Sequence, residues 1–231
     1  MQQMDGEALM STILYPVYTL AHLVVAGWGT IVWRLTRRIG TLLIVLVGLG
    51  VVYDNLILSL GNSLGAGPLL LGLSVPRFVL HQLILPWLIV AAFQQAKVAR
   101  HRWANHTASG WIVLALTLVV MVAGIVTRLI PLNLEPAVMD GITRYVAVGI
   151  KGPPLVSILS IGFVGVVGLL LWRRNRWPWE FLAAVLVFIG EGIPVEWVRR
   201  ILGSGFEVLF LAVMLTTDRW LALNQDQVSE S

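Results

Sequence analysis

The stretch from Ile39 to Leu60 is long enough to cross a bilayer and carries a single charged side chain, Asp54. A helix crosses a hydrocarbon core about 30 Å thick with roughly 20 apolar residues. A chain made of such stretches must close its backbone hydrogen bonds within each helix, because lipid offers no partners. By this criterion the sequence divides into seven expected spans: Ser11–Trp33, Ile39–Leu60, Pro76–Ala96, Trp111–Ile130, Pro153–Trp172, Pro178–Val198 and Gly203–Thr217. The seventh is short and is joined to the sixth by Arg199-Arg200-Ile201-Leu202. Composition agrees, since 58% hydrophobic and 12% charged residues with a mean hydropathy of +0.85 lie outside the range of a soluble domain. The expected fold is all-α, one polytopic transmembrane domain over residues 1–231. It has a short N-terminal segment (1–10) and a disordered polar tail (224–231).

A net charge of +4 and a pI near 10 would suggest a nucleic-acid partner in a soluble protein. Here the basic residues fall in short runs between apolar segments, so no nucleic acid is expected and the runs serve as topology signals. Arg34/Arg37/Arg38, Lys97/Arg100/Arg102 and Arg173/Arg174/Arg176 follow spans one, three and five, and therefore share one side. The positive-inside rule makes that side cytoplasmic. The N-terminus with Asp5 and Glu7 is then outside, the C-terminus inside, and the protein a multi-pass component of the cell membrane. Trp33, Trp103, Trp111, Trp172, Trp177, Trp179 and Trp220 fall near span boundaries, as an aromatic belt requires. The absence of cysteine excludes disulfides and thiolate chemistry. No basic segment followed by a cleavage site opens the chain, so the first span is expected to be retained.

Ionisable groups inside such spans are functional-site candidates, because each costs a few kcal/mol unless paired, protonated or hydrated. Asp54 lies about 22 Å along span two from Ile39, in the outer third. Asn55 and Asn62 follow on similar faces. Arg77 is expected near the outer surface and His81 one turn below it on the same face, with Pro86 kinking the helix beneath. Glu191 and Glu196 fall in the outer half of span six, and Glu207 about one turn below the outer surface in span seven. Four helices thus bring ionisable groups to one level, above inner halves that are almost wholly apolar. The pattern fits a pocket open to the outer leaflet.

Each residue also has a structural alternative. Asp54, flanked by Tyr53 and Asn55, is either a general acid, as a carboxyl group kept protonated in an apolar cavity can be, or the partner of Arg77 on the neighbouring helix. Arg77 and His81 either bind an anionic group or serve the surface and a backbone carbonyl. Glu191 and Glu196 are about 140° apart on an ideal helix, and Glu196 can pair with Arg200. Glu207 has a similar alternative with Arg199 or Arg200. Glu180, Asp218 and Arg219 are expected to be solvated at the cytoplasmic interface, and His22 to be a helix-packing residue. Arg128, Glu135, Asp140, Arg144 and Lys151 belong to an outer loop, Pro131–Gly152. No metal site is expected from so few intramembrane histidines, and no Walker loop, dinucleotide fingerprint or nucleophile elbow is present.

The plan resembles that of the small seven-helix integral-membrane terpene cyclases of meroterpenoid pathways, which use one acid on the second helix within an aromatic-acid sequence and another on the last. Tyr53-Asp54-Asn55 and Phe206-Glu207-Val208 occupy those places, with Asp and Glu reversed relative to that family. Separately, Ile193-Pro194-Val195-Glu196 is similar to the Pro-x-Glu element of membrane carotenoid cyclases, although the second acid expected there is Trp197. The resemblance implies an isoprenoid cyclase, an isomerase or lyase without cofactor or metal, in which Asp54 or Glu207 donates a proton to a hydrophobic substrate entering from the bilayer. Glu191 is then a third catalytic candidate, and Tyr53, Asn55, Asn62, Arg77, His81 and Glu196 contact substrate. Two other functions fit the same residues: a proton-coupled carrier with an Asp54–His81–Glu191 relay, and a lipid- or partner-binding scaffold held by a structural ion-pair network.

Overall fold

A computed structural model describes residues 2–224, with side chains from Leu9 onward except those of Arg200 and Ile201. The expected tail beyond Asn224, the N-terminal acids Asp5 and Glu7, and the expected pairing of Glu196 or Glu207 with Arg200 lie outside the described residues or side chains. The chain is overwhelmingly helical, in the order α1 (Gln2–Thr36), α2 (Ile39–Leu64), α3 (Pro68–Ile84), α4 (Trp87–Val98), α5 (Thr107–Gly124), β1 (Asn133–Met139), β2 (Ile142–Val148), α6 (Leu155–Asn175), α7 (Trp179–Glu191) and α8 (Glu196–Leu223). Among the described residues, five stretches are long and apolar enough to cross a membrane: Leu9–Thr36, Ile39–Leu64, Pro68–Val98, Thr107–Leu129 and Leu155–Asn175. This is the helical architecture of a membrane protein.

The helix ends differ from expectation for local reasons. No long loop separates spans two and three. Helix α2 runs to Leu64 and stops at Gly65, whose φ of +67° suits glycine. Helix α3 then starts at Pro68, with proline in the first turn, where a missing N–H costs nothing. Pro76, expected to open the span, sits inside α3 instead. Pro86 does interrupt the span, and the chain passes it on i→i+3 bonds, Leu88 N to Leu85 O at 3.1 Å and Ile89 N to Pro86 O at 3.0 Å. The predicted sixth span also breaks. Helix α7 is only 13 residues and ends at Glu191, Gly192–Val195 turns the chain at Pro194, and α8 begins at Glu196. Arg199-Arg200-Ile201-Leu202 is therefore the start of α8 and not a linker.

The loop expected on the outside is likewise not irregular. It holds an antiparallel hairpin pairing Asn133 with Val148 through Met139 with Ile142. Its two-residue turn, Asp140-Gly141, has φ values of +53° and +74°, as a type I′ turn requires. Ile142 packs with Tyr15 and Leu58, and Tyr145 with Ile57 and Leu70. Asn62 clamps the turn from α2, donating to Gly141 O and accepting from Thr143 N, both at 2.8 Å. Arg144, expected in a hydrated loop, is buried, with its guanidinium over the Tyr15 ring and a hydrogen bond to the Tyr15 hydroxyl at 3.2 Å.

Helix α4 lies at the centre. Leu88, Ile89, Ala91, Ala92 and Ala96 are sealed among Ile44 and Val47 of α2, Val164 and Val167 of α6, and Phe210, Leu211 and Met214 of α8. At the end that carries the basic loops, Glu180 and Asp218 are buried and not solvated as expected. Thr41 donates to the Asp218 carboxylate at 2.7 Å, and Arg38 donates to the Asp218 carbonyl at 3.2 Å. Glu180 is sealed beside Thr217 and Asp218. His22 packs at the α1 core with Nδ1 against Tyr18 O at 2.8 Å.

Candidate functional site

Asp54, Arg77 and Glu207 occur at similar depth on three helices. Ten residues separate Asp54 from Leu64, nine separate Arg77 from Pro68 and eleven separate Glu207 from Glu196. At 1.5 Å per residue these are depths of about 15, 14 and 17 Å from the hairpin end. The shared level expected from sequence is present, but it lies about two turns deeper for Arg77 and Glu207, because α3 and α8 both begin earlier than their apolar patterns suggest.

The Arg77 Nε donates to Asp54 Oδ1 at 2.8 Å, with Arg77 one-tenth and Asp54 two-fifths exposed. Arg77 Nη1 is buried and has no partner among the described residues. One turn on, His81 faces Ser157 on α6, with Nε2 and Oγ sharing a hydrogen bond of 3.1 Å. Three adjoining cavities meet at His81. The smallest, about 50 Å³, is lined by Asp54, Arg77, His81 and Glu207 with Val51 and Leu85. The second, about 330 Å³, adds Gln82, Arg128, Ala147 of β2, Ile150 and Pro154 after the hairpin, and Ser157 at the start of α6. The third, about 690 Å³, is mostly apolar, with Leu88, Ile161, Phe188 and Phe210 in its wall and Glu191, Arg199 and Glu207 at its polar edge. Asp54 and Glu191 both lie near enough to Glu207 to act on it electrostatically, and no hydrogen bond or ion pair reaches Glu207 from the described side chains.

Five expected site residues, Asp54, Arg77, His81, Glu191 and Glu207, thus line one connected space. No protein-family model matches the sequence, and no curated protein matches it either.

The remaining candidates stand apart from these cavities. Tyr53 donates to Leu73 O at 2.8 Å and ties α2 to α3. Asn55 is fully buried on another face of α2, bonded to Val51 O at 3.1 Å. Asn62 is occupied by the hairpin, and Glu196 is exposed at the start of α8. Conversely, Arg128, Arg199 and Ser157 line the space and were not among the expected site residues. Arg128 lies on a π-helical turn, Ile125–Leu129, that extends α5. Such turns widen a helix locally and recur at functional sites. Arg128 Nη2 donates to Gly152 O at 2.7 Å and also to Pro153 O, pinning the segment that closes the second cavity. An arginine near the end of the fourth apolar span was the available signal.

Proposed function

We propose that this chain is an integral-membrane isoprenoid cyclase of the cell membrane, with seven spans, the hairpin outside and the basic loops cytoplasmic. Glu207 is its general acid. The observation that carries the reading is the position of Glu207, a carboxyl group without an ion-pair partner among the described side chains, where the apolar 690 Å³ cavity meets the Asp54–Arg77 pair. A carboxyl group against an apolar wall can hold its proton and so act as an acid. Asp54, bonded to Arg77, is a charged neighbour and not the donor.

In this mechanism the Glu207 O–H bond breaks as its proton passes to an alkene carbon or an epoxide oxygen of the substrate. The resulting cationic carbon is attacked by the π electrons of a second double bond, which closes a ring. A proton is lost from the final cation to a carboxylate, Glu191 or Glu207 itself, so the reaction is a net isomerisation without redox change. Phe188 and Phe210 supply ring faces for the cation. Glu207→Gln should abolish product while the protein stays folded in detergent. Wild-type turnover by that variant would refute the assignment.

A proton-coupled carrier is the second reading, favoured by one observation. Glu207 and Asp218, eleven residues apart and so nearly aligned on α8, lie at opposite ends of a sealed stretch containing Phe210, Leu211 and Met214. It requires pH-driven flux in liposomes that Asp218→Asn removes. Tight vesicles would dismiss it.

A further inference from the structure

The second cavity has a charge imbalance. Its lining brings two guanidinium groups, Arg77 and Arg128, against one carboxylate, Asp54. Arg77 uses Nε on Asp54, while its Nη1 is buried without a partner among the described residues. Arg128 commits only Nη2 to the protein's own hydrogen bonds. The buried Arg77 Nη1 is costly to leave unpaired, whereas Arg128 is half-buried; a ligand that supplies acceptor oxygens removes the first cost and pairs the second charge. His81 and Ser157, already bonded to each other, complete the polar wall. The same two residues, with Pro154, also line the apolar 690 Å³ cavity, so a polar head in one space continues into an apolar chain in the other.

We propose that the cavity between Arg77 and Arg128 is an anion subsite, and that the ligand is a single-chain amphiphile with a phosphate or carboxylate head. Its hydrocarbon chain lies in the large cavity beside Glu207 and Glu191. As a statement about substrate this rests on the cyclase reading, but as a statement about binding it does not. Guanidinium groups suit such heads because they bond two oxygens at once. The arrangement holds the head away from Glu207, so the acid meets the chain and not the phosphate.

The test is binding to the full chain in an uncharged detergent, followed by thermal unfolding, with three probes: dodecyl phosphate, dodecanol and inorganic phosphate. Dodecyl phosphate should raise the unfolding midpoint in a saturable manner. Dodecanol at the same concentration should give a much smaller shift. A comparable shift from inorganic phosphate alone would identify a free-anion site and overturn the amphiphile assignment. Arg128→Gln should weaken dodecyl phosphate at least about tenfold, as loss of one charge-assisted contact implies. Glu207→Gln should bind dodecyl phosphate like the wild type, so loss of cyclisation with binding retained separates the catalytic claim from this one. Equal shifts from dodecanol and dodecyl phosphate in the wild type would overturn the subsite without recourse to any variant.

Discussion

The Arg77 guanidinium of α3 and the Asp54 carboxylate of α2 meet at 2.8 Å, about halfway along two long helices. Removing one partner of a pair held in low dielectric strands the other, which is more costly than removing both. Asp54→Asn and Arg77→Met should each lower stability by about 1–3 kcal/mol, discounted for the partial exposure of Asp54. The double variant should lose less than the sum. Unfolding in detergent across the four proteins measures this coupling, and strict additivity would show that the pair contributes nothing.

The hairpin should depend on two neighbouring α2 residues. A methyl group on Gly61 would overlap the Thr143 carbonyl, so Gly61→Ala should displace β2. Asn62→Ala removes both hydrogen bonds that hold the turn and should cost about 1–3 kcal/mol. Faster proteolysis within residues 133–148 in both variants is the expected readout.

The natural absence of cysteine makes topology directly testable. Val138, exposed on β1, and Arg102, in a basic loop, should lie on opposite faces of the membrane. A membrane-impermeant maleimide should label Val138→Cys in intact cells and Arg102→Cys only after lysis.

His101, between α4 and α5, is shifted below the usual histidine value of 6.5, first by burial and then by the Arg174 charge. The unfolded chain therefore takes up a proton at higher pH than the folded one. The stability contribution is complete above pH 6.5 and declines as pH falls from there through the lower folded value. Unfolding midpoints measured down to pH 5.5 should fall more for the wild type than for His101→Gln.

The spans that were legible in sequence were those whose apolar residues run without interruption, such as Ile39–Leu60. Their ends were less so. Pro76 looked like a helix start because proline usually is one, yet Gly65 and Pro68 set the true boundary, and packing carries the proline inside α3. Charge hid α8, since Glu196, Arg199, Glu207 and Asp218 dilute its apolar signal although three of the four face protein or cavity. The Asp140-Gly141 turn between residues of high strand propensity did announce a hairpin, but polarity made the segment read as a loop. Asp54, Arg77 and Glu207 still share a level because α2 ends later, and α3 and α8 both start earlier, than their apolar runs suggest. Arg128 and the burial of Glu180 depend on tertiary packing that no single segment encodes.

The most direct test of Glu207 as proton donor is turnover in D₂O. The protein would be offered polyprenyl epoxides and polyprenyl phosphates, with products read by mass spectrometry. The wild type should give an isomer of the substrate carrying one solvent-derived deuterium at the site of protonation, exchangeable if that site is an epoxide oxygen, and Glu207→Gln should give none. Equal product from Glu207→Gln, or no cyclised product from the wild type on any of these substrates, would contradict the account.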